Sequence, residues 1–339
     1  MTVVSRWFAR VTGCLLMTSA FVPAHFAFAQ RGQGASAGSR LVSVVEIPGV
    51  VAAGATWKVA WQGTDNADGI VGTDDGGVLF AQEQSSRIRK LAADDTVSIY
   101  LEDTHGAGAM AIDATGRLLA VQRTCTDPGR QPARCTEPTA VGALAPDRKV
   151  LADAFGNAPL GRLNDLVADK QGGVYFTVGG AYHVNAAGVV ASLGDDIRAN
   201  GIMLSPDERV VYVTNAGVIL AFDIHTDGTV TNRREFGQLE AGGTGDGMAV
   251  DAAGRLYVTS QPGVQVLASD GTYLGLIPTP RNGISVAFSG PEKRTLYVVG
   301  SGALGPDGQE FRTPEGVRNN AKTIYKLPML VTGFTGRAK

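Results

Sequence analysis

Short apolar runs, each preceded by a polar turn, recur along the chain between about residues 70 and 300. Outside the N-terminal segment, apolar residues rarely recur at i, i+3 and i+4, so helices are not indicated. Runs this short, bounded by Gly, Asp and Pro, favour many short β-strands. The segments that share the turn-and-strand pattern are TDDGGVLFAQ (73–82), IDATGRLLAV (112–121), ADKQGGVYFT (168–177), SPDERVVYVT (205–214), DAAGRLYVTS (251–260) and GPEKRTLYVV (290–299).

Comparable turn positions in the six segments are 39, 57, 36, 45 and 40 residues apart. A repeat of this length, with room for further short strands, predicts an all-β fold: a six-bladed β-propeller of four-stranded blades. A β-sandwich is the alternative, but it does not account for six similar units. To close the ring, we expect residues 40–49 and 322–330 to complete one blade from the two ends of the chain.

A polar or small residue lies eight or nine positions before each turn. In a propeller the innermost strand of every blade starts at the central channel, so equivalent positions are expected to form a ring around the axis. Four of the six members are Asp or Asn. The predicted ring consists of Asp68, Gly108, Asn164, Asn200, Asp246 and Ser285.

Carboxylate and amide oxygens gathered at one axis are ligands that suit Ca²⁺ or Mg²⁺. Without a cation, neighbouring carboxylates would repel each other, and the pKa of one would rise. A cation bound there would also act as a Lewis acid toward a carbonyl or phosphoryl oxygen. The alternative is that each Asn-Gly or Asp-Gly pair is an ordinary turn, since these dipeptides favour turns and turns also recur in repeats.

The N-terminal residues 1–29 have the pattern of a secretory signal. Arg6 and Arg10 precede a short apolar stretch, and an Ala-Phe-Ala site follows it. We therefore expect a periplasmic or secreted protein, with residues 30–39 as a flexible leader and residues 40–339 as a single propeller domain.

The charge of the chain argues against two classes of partner. Removing residues 1–29 takes away two of the 30 basic residues and none of the 32 acidic ones, which leaves a net charge of −4. A nucleic-acid partner would need a basic face, and no polybasic run indicates a membrane surface after the signal is removed. The sequence does not indicate an oligomeric state.

Cys125 and Cys135 remain after the signal segment and its Cys14 are removed. An even pair in an exported protein favours a disulfide, here one that closes a Pro- and Gly-rich loop. A zinc site is the alternative, but no His lies nearby. We expect this loop between blades two and three, where it is a candidate lid.

Four motifs in order resemble the senescence-marker-protein, gluconolactonase and regucalcin family. They are GRLNDLVADKQGGVYFT (161–177), RANGIMLSPDERVVYVTN (198–215), GDGMAVDAAGRLYVTSQPGVQVL (245–267) and GLIPTPRNGISVAFSGPEKRTLYVVG (275–300). The resemblance implies a six-bladed propeller and a hydrolase, often a lactonase, that uses one divalent cation in its central channel. Ca²⁺ is the first expectation, with Mg²⁺, Mn²⁺ or Zn²⁺ as alternatives.

The resemblance also implies roles for particular residues. Asn200 and Asp246 match the metal ligands of the family, and Asn164 matches an asparagine that lies near the metal and helps to hold substrate or a bound water. Arg162 matches an arginine that contacts substrate. Where the family has a glutamate in Glu-Gly-Pro as the remaining ligand, this chain has Asp68, which is one methylene shorter.

The implied mechanism is metal-assisted hydrolysis of a small-molecule lactone. Asp246 is expected both to hold the metal and to act as the base for an attacking water, and the donors of Arg162 would orient an oxygen-rich substrate. Two alternatives remain: a propeller that binds a ligand or protein around a structural cation, without catalysis, and a phosphotriesterase-like or strictosidine-synthase-like activity.

Overall fold

Six four-stranded antiparallel sheets follow one another in a computed structural model of the protein, which describes residues 38–124, 138–315, 317–337 and 339. The innermost strands of neighbouring sheets contact each other in a closed cycle, and the last contacts the first. The sheets are therefore the blades of a six-bladed β-propeller, which confirms the predicted fold. Across the described ranges we find strands but no helix, and hence none with the length and apolar character needed to cross a membrane.

The strands are numbered in chain order, and each blade is listed from its innermost strand outward. Strand β1, Lys58–Gly63, precedes blade 1. Blade 1 contains β2 Ile70–Gly72, β3 Val78–Gln82, β4 Arg87–Leu91 and β5 Val97–Glu102; blade 2 contains β6 Ala107–Ile112, β7 Leu118–Gln122, β8 Ala140–Ala145 and β9 Lys149–Ala152. A separate short hairpin, β10 Ala154–Phe155 and β11 Ala158–Pro159, leads into the next blade.

The second half of the ring repeats the same order. Blade 3 contains β12 Leu166–Ala168, β13 Val174–Val178, β14 Gly180–Val184 and β15 Val190–Ser192; blade 4 contains β16 Ile202–Leu204, β17 Val210–Asn215, β18 Val218–Ile224 and β19 Val230–Gln238. Blade 5 contains β20 Met248–Val250, β21 Leu256–Thr259, β22 Gly263–Leu267 and β23 Tyr273–Pro278. Blade 6 contains β24 Gly283–Ser289, β25 Thr295–Ser301 and β26 Lys322–Pro328, with β1 as its outermost strand.

The recurring turns have a common hydrogen-bonding pattern, which explains why they repeat. The Oδ1 atom of Asp113 accepts from the backbone N–H groups two and four residues later, at 2.9 and 3.0 Å. Asp169 and Asp251 bond in the same way at the equivalent turns. A side-chain oxygen at this position satisfies backbone donors that the tight turn leaves free.

The ring closes with a different strand from the one predicted. Strand β26 pairs with β1, from Lys58↔Lys326 to Gly63↔Lys322. Residues 40–49, the predicted partner, form no regular strand; they end in a tight turn at Pro48-Gly49, where Ile47 bridges to Val51. Gly49 has a φ of 67°, and a chain that reverses there cannot continue as the extended partner of β26.

Burial decreases from the channel outward. Strands β2, β12, β16 and β20 are fully buried, whereas β5, β15 and β19 are largely half-buried or exposed. The apolar clusters lie between adjacent blades, so each blade buries its faces against its neighbours. The starts of the innermost strands are consequently held on a rigid inner cycle.

The predicted disulfide of Cys125 and Cys135 lies outside the described residues. Along the chain, this segment connects β7 to β8, which both belong to blade 2. The expectation of an insertion between blades two and three was wrong: it lies within blade 2. The spacing of 57 residues between the second and third turn positions shows that an insertion is present, but it does not show whether the insertion lies within a blade or between two blades.

Candidate channel site

The four Asp and Asn members of the predicted ring lie at equivalent positions, each two residues before an innermost strand. Their backbone N–H groups bond to the second strand of their own blade. These bonds are Asp68 N to Ala81 O at 3.0 Å, Asn164 N to Thr177 O at 2.8 Å, Asn200 N to Thr214 Oγ1 at 3.1 Å and Asp246 N to Thr259 O at 2.9 Å. The pairing that starts each sheet therefore also places the ring residue at the channel.

The glycines that follow Asn200 and Asp246 are required by close packing. Neither Gly201 nor Gly247 has a positive φ, so neither is a left-handed turn glycine. A Cβ on Gly201 would lie 2.0 Å from the carbonyl oxygen of Asp246, and a Cβ on Gly247 would lie 2.9 Å from that of Ile284. The Asn-Gly and Asp-Gly pairs thus bring the backbones of successive blades together, and the turn interpretation does not describe them.

Asp165 replaces glycine at the equivalent position of blade 3. Its Oδ2 atom accepts from the backbone N–H of Ile202 at 3.0 Å and from Nζ of Lys339 at 2.7 Å. Blade 3 is therefore joined to blade 4 by a buried carboxylate, whereas blades 1, 4 and 5 have a glycine in close backbone contact with the next blade at this position: Gly69, Gly201 and Gly247.

Asn164, Asn200 and Asp246 form one side of the channel, which we call the amide–acid side. Nδ2 of Asn164 donates to Oδ1 of Asn200, and Asn200 hydrogen-bonds Asp246. Enclosure by protein raises the pKa of Asp246 well above its ordinary value, and the charges of Asp68 and Asp165 raise it further. Within the described residues Asp246 forms no ion pair, and the nearby charge of Arg123 offsets the rise only in part.

The opposite side of the channel contains charged groups that the sequence analysis did not identify, and we call it the ion-paired side. Its centre is Arg123, which is only 2% exposed. Nη1 donates to the carboxylate of Asp68 and to Oε2 of Glu83, the latter at 3.2 Å. Nη2 donates to the carbonyl oxygen and Oδ1 of Asn164 at 2.5 and 3.3 Å, and Nε donates to Leu163 O at 2.6 Å.

Arg162 also belongs to the ion-paired side. Its Nη1 and Nη2 atoms donate to the two carboxylate oxygens of Glu83 at 2.6 and 2.9 Å. Glu83 is fully buried, while the side chain of Arg162 is 23% exposed. A bidentate pair of this kind fixes the plane of the guanidinium. Arg162 therefore has a set orientation and a solvent-accessible edge, as a substrate-contacting residue requires.

Two further pKa shifts reflect the charge balance on this side. Burial alone would raise the pKa of Asp68, but the charge and hydrogen bond of Arg123, with the charges of Arg162 and Lys322, hold it below its ordinary value. Burial lowers the pKa of Lys322 to about 8, although the charges of Asp68 and Glu83 act in the opposite direction. Lys322 is 4% exposed and donates to the carbonyl of Asn320 at 3.3 Å.

Glycine at ring position 108 makes room for Arg123. A Cβ on Gly108 would lie 2.2 Å from Cζ of Arg123, so the guanidinium fills the space that a ring side chain of blade 2 would take. Ser285, the ring member of blade 6, lies within β24, and its Oγ accepts from Ile70 N at 3.4 Å.

A signal for the missed residues was present in the repeat. Ile70 pairs with Phe80 in blade 1 and Met110 pairs with Ala120 in blade 2, and Glu83 and Arg123 each lie three residues further on. They are thus equivalent positions with opposite charges, and each directly follows an apolar strand. Lys322 had no comparable signal, because it starts the third strand of blade 6.

The donor set can be tested against a divalent cation. Across the described ranges, no cluster of three or more His, Cys, Asp or Glu residues is arranged to hold a metal. Asn200 and Asp246 provide an amide oxygen and an enclosed carboxylate that lacks an ion-pair partner among these residues. This pair fits a hard cation that keeps several waters. Asp68 does not fit equally well, because its Oδ2 atom bonds Arg123.

The fold and channel define a propeller with a polar axial site, and the comparison with known families agrees. The family model described as SMP-30/Gluconolactonase/LRE-like region matches residues 59–302, which is more than half of the chain. The chain therefore belongs to this family.

Individual relatives are more distant. The chain is 25% identical over 268 residues to a gluconolactonase of Zymomonas mobilis, covering 66% of this chain and 72% of the relative. It is 31% identical over 188 residues to the pentonolactonase XacC of Haloferax volcanii, covering 51% of this chain and 64% of the relative.

Solved structures share the fold at lower identity. A gluconolactonase from Xanthomonas campestris has a TM-score of 0.66 at 20% identity, covering 88% of this chain and 99% of that one. Regucalcin from Agrobacterium tumefaciens, described as a calcium-binding protein, has a TM-score of 0.62 at 18% identity, covering 82% and 95%. At these identities the likeness concerns the fold alone.

Proposed function

We propose that the protein hydrolyses small-molecule lactones in the channel between Arg162 and Asp246. The observation that supports this most directly is the placement of a carboxylate of raised pKa opposite a fixed, partly exposed guanidinium. The first group suits proton transfer, and the second suits an oxygen-rich substrate. Relatives named for gluconolactone and pentonolactone hydrolysis support the same chemistry.

The proposed reaction assigns a task to each side of the channel. Arg162 donates hydrogen bonds to hydroxyl or carbonyl oxygens of the lactone and orients it. Asp246 accepts a proton from the attacking water, whose oxygen forms a bond to the carbonyl carbon. The bond from that carbon to the ring oxygen then breaks, and Asp246 returns the proton to the ring oxygen. Water is added, and the product is the open-chain hydroxy acid.

We also propose that a divalent cation, with Ca²⁺ as the first candidate, binds at Asn200 and Asp246. When bound, it would polarise the lactone carbonyl. Asn164 orients Asn200 through its Nδ2 hydrogen bond, and we assign to it a contact with substrate or a bound water. Mg²⁺, Mn²⁺ and Zn²⁺ are the alternatives to compare.

A screen of γ- and δ-lactones of sugars and of simple hydroxy acids tests the function. It is run on the wild type and on Asp246→Asn, with added Ca²⁺ or with EDTA, and Asp195→Asn is the control at an exposed position. We expect hydrolysis by the wild type and by Asp195→Asn, and a loss of at least 10²-fold in Asp246→Asn. A phosphotriester in the same screen tests the alternative activity.

The outcomes separate the proposals. If folded, Ca²⁺-bound protein opens no lactone, the channel is a binding site without this catalysis. If hydrolysis survives Asp246→Asn, the assignment of the base is wrong. If EDTA leaves the rate unchanged, the proposed cation dependence is wrong although the activity stands.

Export is proposed from residues 1–29 and needs its own test. Fusing these residues to alkaline phosphatase, which is active only after export, should give activity in a bacterial host. Replacing Arg6 and Arg10 by Glu should remove most of it. Equal phosphatase activity with and without the segment would contradict the proposal.

A further inference from the structure

We infer that the guanidinium of Arg123 occupies the place of a metal cation beside Asp68, so that the carboxylate of Asp68 does not bind a divalent cation. Asp68 lies at a ring position equivalent to Asn200 and Asp246, and by the repeat alone it should serve the same cation. Its carboxylate instead bonds Nη1 of Arg123, and this ion pair joins blade 1 to blade 2 across the edge of the channel.

The charges on the ion-paired side support this inference. Asp68 and Glu83 supply two carboxylates, and Arg123 and Arg162 supply two guanidiniums within hydrogen-bond distance of them. The four groups are neutral as a set, so they offer no excess negative charge to a divalent cation. A cation that approached Asp68 would also be repelled by Arg123 at close range, where little water screens the charges.

Packing makes Arg123 a fixed group. Its guanidinium is bonded to Leu163, Asn164 and Glu83 as well as to Asp68. The missing side chain at Gly108 provides the space for it. Releasing Arg123 would leave Glu83, which is fully buried, with fewer cationic partners, and loss of a partner from a buried ion pair is costly. The arrangement is thus built into two adjacent blades.

Divalent-cation binding should therefore depend on Asp246 and Asn200, with water completing the shell, and should be insensitive to Asp68. The inference concerns the channel of the proposed lactonase but does not require that activity. A measurement of metal binding tests the inference directly. Failure of the lactone screen would therefore not affect this test.

Isothermal titration calorimetry with CaCl₂ and MnCl₂ on the full chain provides the test, with Asp68→Asn as the main variant and Asp246→Asn as its matched control. We expect Asp246→Asn to weaken binding at least tenfold, and Asp68→Asn to leave the dissociation constant within about twofold of the wild type. Loss of affinity in Asp68→Asn that equals the loss in Asp246→Asn would overturn the inference.

Arg123→Gln is the second variant, and its thermal unfolding is measured first. If it folds, we expect Ca²⁺ to bind at least tenfold more tightly than to the wild type, and the added affinity to disappear in Arg123→Gln combined with Asp68→Asn. This comparison also decides the case in which the wild type binds no metal at millimolar concentrations. A folded Arg123→Gln protein without improved binding would overturn the inference, and if this variant does not fold, the Asp68→Asn titration alone decides.

Discussion

The two sides of the channel differ in how they compensate the negative charge of their carboxylates. On the ion-paired side, Asp68 and Glu83 are met by the guanidiniums of Arg123 and Arg162. On the amide–acid side, Asp246 contacts Asn200, and its pKa is raised because burial and neighbouring carboxylates disfavour its charge. A carboxylate removed from water needs compensation. The protein supplies it on one side and leaves the other available for a proton or a cation.

The difference shows that equivalent positions in a repeat need not share a role. Asp68 and Asp246 occupy the same place in their blades, but the neighbouring blade decides the state of each carboxylate. Four variants test this contrast, and they follow in order of decreasing expected effect.

Glu83→Gln should have the largest effect, because it removes the carboxylate that both guanidiniums share. We expect the free energy of unfolding to fall by about 3–5 kcal/mol, with loss of most activity. Urea denaturation and lactone hydrolysis measure the two effects. Glu310→Gln is the control. Glu310 forms an ion pair with Arg281 at 2.7 Å, and Arg281 is as buried as Arg123, but this pair is separate from Glu83 and its two guanidiniums. A loss of stability and activity no greater than in Glu310→Gln would contradict the central role of Glu83.

Lys322→Met should change how stability depends on pH. Because the pKa of Lys322 is about 8 in the folded protein and ordinarily 10.5, the unfolded chain retains the proton between these values after the folded protein has lost it. Lys322 should therefore make stability increase with pH across this window, by about 3 kcal/mol, and the variant should lack that increase. Urea denaturation at several pH values measures it, with Lys149→Met, at an exposed position, as the control. Parallel pH profiles for wild type and Lys322→Met would contradict the prediction.

Gly108→Ala tests whether the space for Arg123 is essential. The new methyl group would overlap the guanidinium, so we expect a loss of about 1–3 kcal/mol in stability. Gly161→Ala is the control, because its Cβ would meet only Val178 at 3.5 Å, an ordinary contact. Equal denaturation midpoints for the two variants would show that Arg123 can move at little cost.

Arg162→Lys should have the smallest effect and should act on substrate binding. Lysine cannot reproduce the bidentate bond to Glu83, so the orientation of the cation is lost. We expect KM for a sugar lactone to rise about tenfold, with a smaller change in kcat. Arg281→Lys, which breaks a similar bidentate pair with Glu310, should affect stability alone. An unchanged KM in Arg162→Lys would remove this residue from the substrate site.

The repeat made much of the fold predictable. Turn residues such as Asp113 and Asp169 indicated the blades, because their side chains hydrogen-bond to the backbone of the turn itself. From these turns, the starts of the innermost strands could be predicted, and so could the ring positions of Asn164, Asn200 and Asp246. The closing strand was missed, because the partner of β26 depends on where the N-terminal segment turns, at Gly49, before β1 begins.

The sequence by itself determined the number of blades and the equivalence of the ring positions, since these depend on local turns and short apolar runs. Tertiary structure alone decided which ring carboxylate has a cationic partner. Arg123 lies 55 positions from Asp68 and 40 from Glu83 along the chain, yet it contacts both. Ion pairing acts through space between adjacent blades, and no local pattern records the distance between two side chains that only the closed ring brings together.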